Sequence, residues 1–242
     1  MGDDYLYFKF RKIDKHLIES LVNRELYFAK PDTLNDPFDC RLDLRKSFRR
    51  AALLASATKA RHLRAALKVP NLLEHWFARL SNVGICSFTL CYDDTLLWSH
   101  YAGEHKGVCL LYRFSEQFLG DPKNELLGVD KVRYEENSLT EWLRNAPLEL
   151  SSTDDFVRKL TKIYLTAKSP AWAYEKEARI IRSEPGLFSL PEGCLEQICF
   201  GLRTPQADIN LVTKLATDSF GPTKFCHMIH DESDFSMRME AL

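Results

Sequence analysis

The chain has 242 residues, 45% of them hydrophobic and 28% charged, an ordinary balance for a globular protein able to bury a sizeable core. Its net charge of −1 supplies no global field toward nucleic acid or anionic membrane. No apolar run approaches the ~20 residues that a bilayer requires, so no membrane partner is expected.

Met1-Gly2-Asp3-Asp4 is acidic and no apolar segment follows it, so no secretory signal is expected. Seven cysteines, an odd number, then read as reduced thiols of a cytoplasmic protein. Most lie inside apolar runs, which favours buried structural thiols over a zinc site.

Tyr5-Leu6-Tyr7-Phe8-Lys9-Phe10 reads as a first strand. Asp14 caps a helix with the stripe Leu17, Ile18, Leu21 and Val22, ending at Asn23. Leu26 to Ala29 is a short second strand. Lys30 to Asp39 follows, with two prolines and several Asp or Asn side chains that enforce turns. Within it Phe38 is placed to anchor the loop to the core. Arg45 to Val69 holds no Gly or Pro and is predicted as one helix, buried through Leu53, Leu54, Leu63 and Leu67. Its many Arg and Lys residues give a solvated basic face or a polyanion contact. Pro70-Asn71 breaks it, and Leu72 to Leu80 forms a shorter helix.

Val83 to Phe88 reads as a central strand, and Asp93-Asp94 caps a helical turn that carries Trp98, His100 and Tyr101. Gly107 to Phe114 and Val129 to Tyr134 are strands; Ser138 to Asn145 and Thr153 to Lys168 are helices, the second stopped by Ser169-Pro170. Trp172 to Ile181 is expected to be a strand on which Glu175, Glu177 and Arg179 share one face. Alone, that pattern is either a solvated edge with its own ion pairs or a polar site. Leu195 to Gly201, a helix from Pro205 to Phe220 and a strand from Phe225 to Ile229 complete the chain. The expectation is a single α+β domain over 1–242, a mixed, mainly antiparallel sheet of about seven strands with flanking helices and a helical insertion at 45–80.

No Gly-rich phosphate loop, G-x-S-x-G elbow or H-E-x-x-H pair occurs, and metal catalysis is not a leading expectation. Asn35, Asp36, Trp98, His100, Tyr101, Lys168, Glu175, Glu177 and Arg179 are polar or amphipathic groups beside apolar strands. Brought together they would supply acid, base and stacking groups to one pocket for a nucleotide-like small molecule.

Three ordered motifs resemble a bacterial family catalogued as domain of unknown function 2971. They are Phe28-Ala29-Lys30-Pro31 running into Asn35-Asp36-Pro37-Phe38-Asp39, Leu97-Trp98-Ser99-His100-Tyr101 with Lys106 to Leu110, and Lys168 with Trp172 to Arg179. In layout, the strand-helix-strand opening and the late Glu175-x-Glu177 pair also resemble ADP-ribosyltransferases. The first-strand position and the middle Ser-Thr-Ser signature of those enzymes are not matched; Ser87-Phe88-Thr89 is a partial echo. That resemblance implies an NAD-consuming enzyme of a toxin or phage-defence type, with NAD as substrate and a protein or nucleic-acid acceptor. It implies Glu177 as the carboxylate that stabilises charge as nicotinamide leaves, Lys9 or Arg11 on ribose or phosphate, and Tyr101 or Trp98 stacked on nicotinamide. The alternative is a non-catalytic binding domain using the same pocket.

Overall fold

The computed structural model describes residues 4–146 and 153–242. Its elements follow from local sequence. Strand β1 (Asp4–Arg11) leads into helix α1 (Lys15–Asn23), where the Asp14 carboxylate accepts the Leu17 N–H and Arg24 closes the helix in the left-handed conformation. Strand β2 (Glu25–Phe28) precedes the proline-rich loop. Helices α2 (Leu44–Leu54), α3 (Ala57–Lys68) and α4 (Leu72–Leu80) come next, then strand β3 (Gly84–Thr89) and helix α5 (Thr95–Tyr101). Strand β4 (Val108–Ser115), the short helix α6 (Glu116–Gly120) and strand β5 (Leu126–Lys131) are followed by helices α7 (Ser138–Asn145) and α8 (Thr153–Thr166). Strands β6 (Glu177–Arg182), β7 (Gly186–Ser189) and β8 (Leu195–Phe200), helix α9 (Gln206–Phe220), and strands β9 (Lys224–His230) and β10 (Met237–Ala241) end the fold.

Eight strands form one sheet in the order β10-β9-β8-β4-β1-β3-β6-β5, and β2 pairs with β7 in a separate ribbon. The β8–β9 pair is parallel, with α9 as its crossover, and the remaining pairs are antiparallel. The fold is therefore α+β with a mixed, mainly antiparallel sheet, as the sequence leads one to expect. The strands are more numerous than expected, because β7 and β10 are short segments with weak alternation.

Alternation along the strands separates two faces. Tyr7, Phe88, Leu110, Tyr112, Ala178, Ile180 and Ile198 pack under α1 and α9. On the opposite face, Ile85 and Ile181 pack with α2, α4, α7 and α8, while Phe10 and Cys109 pack with α5. Glu177 and Arg179 share this second face with Ile181. Arg179 bonds the first of its apolar groups through the Leu165 carbonyl, and Glu175, just before β6, bonds the second through Tyr101.

Four local expectations are corrected. The 45–69 segment is two helices, because Ser56 caps a new start after Ala55 turns extended. Leu53 and Leu54 are exposed; Leu44, Phe48, Ala51 and Ala52 form the buried stripe instead. Phe38 does not anchor its loop: it is 81% exposed, and the neighbouring Asp39 holds the loop through an ion pair. Finally, Trp172 to Lys176 is not strand. Residues Pro170–Glu175 form a 3-10 turn started by Ser169, and Lys176 at φ 43 redirects the chain into β6.

Candidate active site

The site begins with a buried guanidinium. Arg179 on β6 is 0% exposed, which is tolerable only if its charge and N–H groups are matched. Its Nε donates to Glu177 Oε1 at 2.7 Å and Nη2 to Glu177 Oε2 at 3.1 Å. On the other side Nη1 and Nη2 reach the two Asp39 oxygens at 3.0 and 2.5 Å, and Nη1 also donates to the Leu165 carbonyl at 2.6 Å. Both carboxylates are thus gripped in the bidentate geometry that suits arginine.

Lys168, just beyond α8, adds a second buried cation. Its Nζ donates to Glu175 at 2.5 Å and Glu177 at 3.0 Å, lies 3.8 Å from Asp39, and sits 5.1 Å from the centre of the Trp172 ring. Glu175 reaches the cluster from the end of the 3-10 turn, and its Oε1 accepts the Tyr101 hydroxyl at 2.6 Å. Asn35 in turn donates to the Tyr101 oxygen at 3.1 Å. A continuous network therefore runs from Asn35 through Tyr101, Glu175, Lys168, Glu177 and Arg179 to Asp39.

The electrostatics follow from that geometry. Burial alone would raise the Glu177 pKa, but Arg179, Lys168 and the Ser87 hydroxyl outweigh it and hold the carboxyl down at about 2. Burial would lower Lys168, and Glu177 with Glu175 overcomes this and raises it. Burial first, then its bond to Glu175, pushes the Tyr101 phenol up, so it stays a neutral donor. Burial likewise lifts the Cys40 thiol to about 12, beside Asp39 and Arg179. Glu177 is ionised with both oxygens engaged, whereas one Glu175 oxygen is met only by a neutral phenol.

A chamber of about 160 Å³ opens against this network, lined by Phe8, Phe10 and Phe88 and closed by Lys9, Tyr101, Lys168, Glu175 and Glu177. That is the scale of a single ring, since an apolar cavity of about 150 Å³ holds benzene. Lys9 faces it with Nζ bound to the Ser87 carbonyl at 2.7 Å and over the Phe88 ring. Phe10, Asn35 and Tyr101 also border a wider cleft of about 580 Å³, whose remaining wall includes Arg11, Lys12, His100, Trp172 and Tyr174. Asp39 and Lys168 form a wall between the chamber and a third hollow of about 350 Å³ that contains Asp36 and Phe38.

The structure thus gathers Lys9, Asn35, Tyr101, Lys168, Glu175 and Glu177 around the chamber, with Arg179 behind them. It places Arg11 and His100 in the wider cleft. Asp36 is a turn former whose carboxylate accepts the Phe38 N–H at 2.9 Å, and it faces the third hollow. Trp98 is corrected to a packing role: it is 0% exposed, stands edge-on to Phe10 and donates its indole N–H to the Tyr92 carbonyl. Of the two readings of Glu175 to Arg179, the solvated edge is excluded, since β6 is flanked by β3 and β5 and all three side chains are buried. Sequence reasoning missed Asp39, Ser87 and the aromatic walls. Asp39 left one signal, a further carboxylate in a turn-forming loop motif.

Two segments distant in sequence, α5 and the Lys168-to-Arg179 stretch, make most of this network. Residues 97–180 match the family model of DUF2971, proteins of unknown function. The match bears out the family resemblance read from the motifs. It runs from Leu97 on α5 to Ile180 on β6 and so includes Tyr101, Lys168, Glu175, Glu177 and Arg179, while Lys9, Asn35 and Asp39 are supplied from outside the matched span. Comparison with curated proteins and with solved structures gives no match. Among the described residues, no helix of the chain is long and apolar enough to cross a membrane.

Proposed function

We propose that the chain is an NAD-consuming enzyme of ADP-ribosyltransferase-like chemistry, acting in a reducing compartment such as the cytoplasm. One observation carries this reading: a ring-sized aromatic chamber ends on buried carboxylates and adjoins a wider cleft with Arg11, Lys12 and His100. A dinucleotide with a ring at one end and phosphates beyond it has that distribution of chemistry. The nicotinamide ring would lie among Phe8, Phe10 and Phe88, and Arg11 and Lys12 would meet the phosphates.

In this reading the bond between nicotinamide nitrogen and ribose C1′ breaks, and its electron pair leaves with neutral nicotinamide. The cation left at C1′ is stabilised by a nearby carboxylate until water or an acceptor hydroxyl or amine adds and gives up a proton. Glu175 takes that role here in place of Glu177, because Arg179 and Lys168 already occupy both Glu177 oxygens. Glu177 positions Lys168, and Tyr101 holds Glu175.

The test is nicotinamide release from NAD by the purified chain. Wild type should release it, and Glu175→Gln should slow release by about 10²-fold or more, the usual effect of removing one electrostatic stabiliser. Absence of release from wild type, or an unimpaired Glu175→Gln variant, removes the proposal. The closed network around Glu177 also favours a second reading, a binding domain without turnover. NAD that raises the melting temperature without releasing nicotinamide would support that reading.

A further inference from the structure

From Leu44 to Leu73 the sequence contains no Asp or Glu, although the whole chain is almost neutral. Several cations of this stretch are accounted for: Arg45 pairs with Glu74, Lys46 with Asp43, Arg50 bonds Asn137, and buried Lys59 donates to the Ala146 carbonyl. On α3, Arg61, Arg64 and Lys68 are exposed and pair with no carboxylate among the described residues.

At 100° per residue these three side chains fall within an arc of about 60° on the solvent side of the helix. Leu63 and Lys59 lie on its other side, buried against the protein. The exposed residues beside the stripe are Ala57, Thr58 and Ala65. They are too small to obstruct a phosphate backbone, and they offer none of the large apolar groups that an interfacial membrane helix buries.

We infer that the exposed face of α3 is a nucleic-acid-binding surface that contacts the phosphate backbone through Arg61, Arg64 and Lys68, without reading sequence. None of the three lines the chamber or the wider cleft, so the inference stands apart from the proposed reaction. Three neutralised phosphates give a salt exponent of about −2.7, hence affinity about 40-fold weaker at 200 mM than at 50 mM salt.

The experiment is fluorescence anisotropy of a labelled 20-base-pair DNA duplex against the full chain at both salt concentrations. Wild type should show that salt dependence. The triple variant Arg61→Gln, Arg64→Gln, Lys68→Gln should retain less than about 4-fold of it while keeping the wild-type melting temperature. A control variant, Lys15→Gln with Lys106→Gln and Lys214→Gln, removes the same charge elsewhere and should bind as wild type does. No binding at 50 mM salt overturns the inference, as does equal binding by the triple and control variants. Binding to phosphatidylserine vesicles without binding to the duplex also overturns it.

Discussion

Arg179 contributes to the fold chiefly through what its absence would expose. Asp39 and Glu177 are 4% exposed each and depend on its guanidinium for compensation. Arg179→Leu fills the space but leaves two buried carboxylates facing each other across Lys168. The expected loss is about 3–5 kcal/mol, read from urea unfolding; a loss under about 1 kcal/mol would show that the cluster contributes little. Glu177 carries a pH signature. Its folded pKa of about 2 lies below its ordinary value, so its stabilisation is complete above pH 4.5 and disappears as pH falls toward 2. Unfolding free energy should drop by about 2 kcal/mol from pH 6 to pH 3, and by less in Glu177→Gln. A slope unchanged by that substitution would assign the acid sensitivity elsewhere. At this scale the sequence exposes Glu177 and Arg179 through their period-two spacing in an apolar run. Asp39 is legible only as a turn residue, because its partner lies 140 positions away.

Helix α5 brings Tyr101 to the chamber, and its N-terminus depends on Asp94, whose carboxylate accepts the Leu96 and Leu97 N–H groups at 2.9 and 3.2 Å. Asp94→Ala should cost about 1 kcal/mol of stability. Because Tyr101 is at the helix's far end, the same variant should weaken binding of an NAD analogue, measured by calorimetry. Unchanged affinity together with the stability loss would show that α5 holds its place without the cap. Caps of this kind are visible in sequence, and so are the proline stops after α3 and α8. The break between α2 and α3 is not, since Leu54-Ala55-Ser56-Ala57 contains no Gly or Pro and a Ser inside a helix is unremarkable. The 3-10 turn before β6 was hidden by the reverse problem. Its last residue, Glu175, falls in step with Glu177 and Arg179 as a strand residue would, but Ser169-Pro170 starts a helical turn and Lys176 ends it in a left-handed conformation that sequence does not announce.

At the scale of the whole molecule, the sheet order brings together groups that the chain order scatters. Strand β1 is central, between β3 and β4, and this places Lys9 across from β6 and α5. Composition and alternation make the α+β class and most strands legible, but strand order rests on pairings between distant segments that no local pattern encodes. The same architecture disposes of the cysteines: all seven are free and buried, Cys40 in the loop before α2 and the rest on β3, β4, β8, β9 or in the loops beside them. Because they are dispersed through the core, they act as built-in reporters of how often it opens. A thiol reagent such as dithionitrobenzoate should find almost no target in the native protein and seven equivalents in guanidinium. Prompt labelling of native protein would contradict the burial of these side chains. Where labelling is slow, its rate equals that of a fully exposed thiol times the fraction of time the segment is open, and so becomes a clock. Mapping which thiol reacts first would rank the parts of the sheet by how readily they come apart, without a single engineered probe.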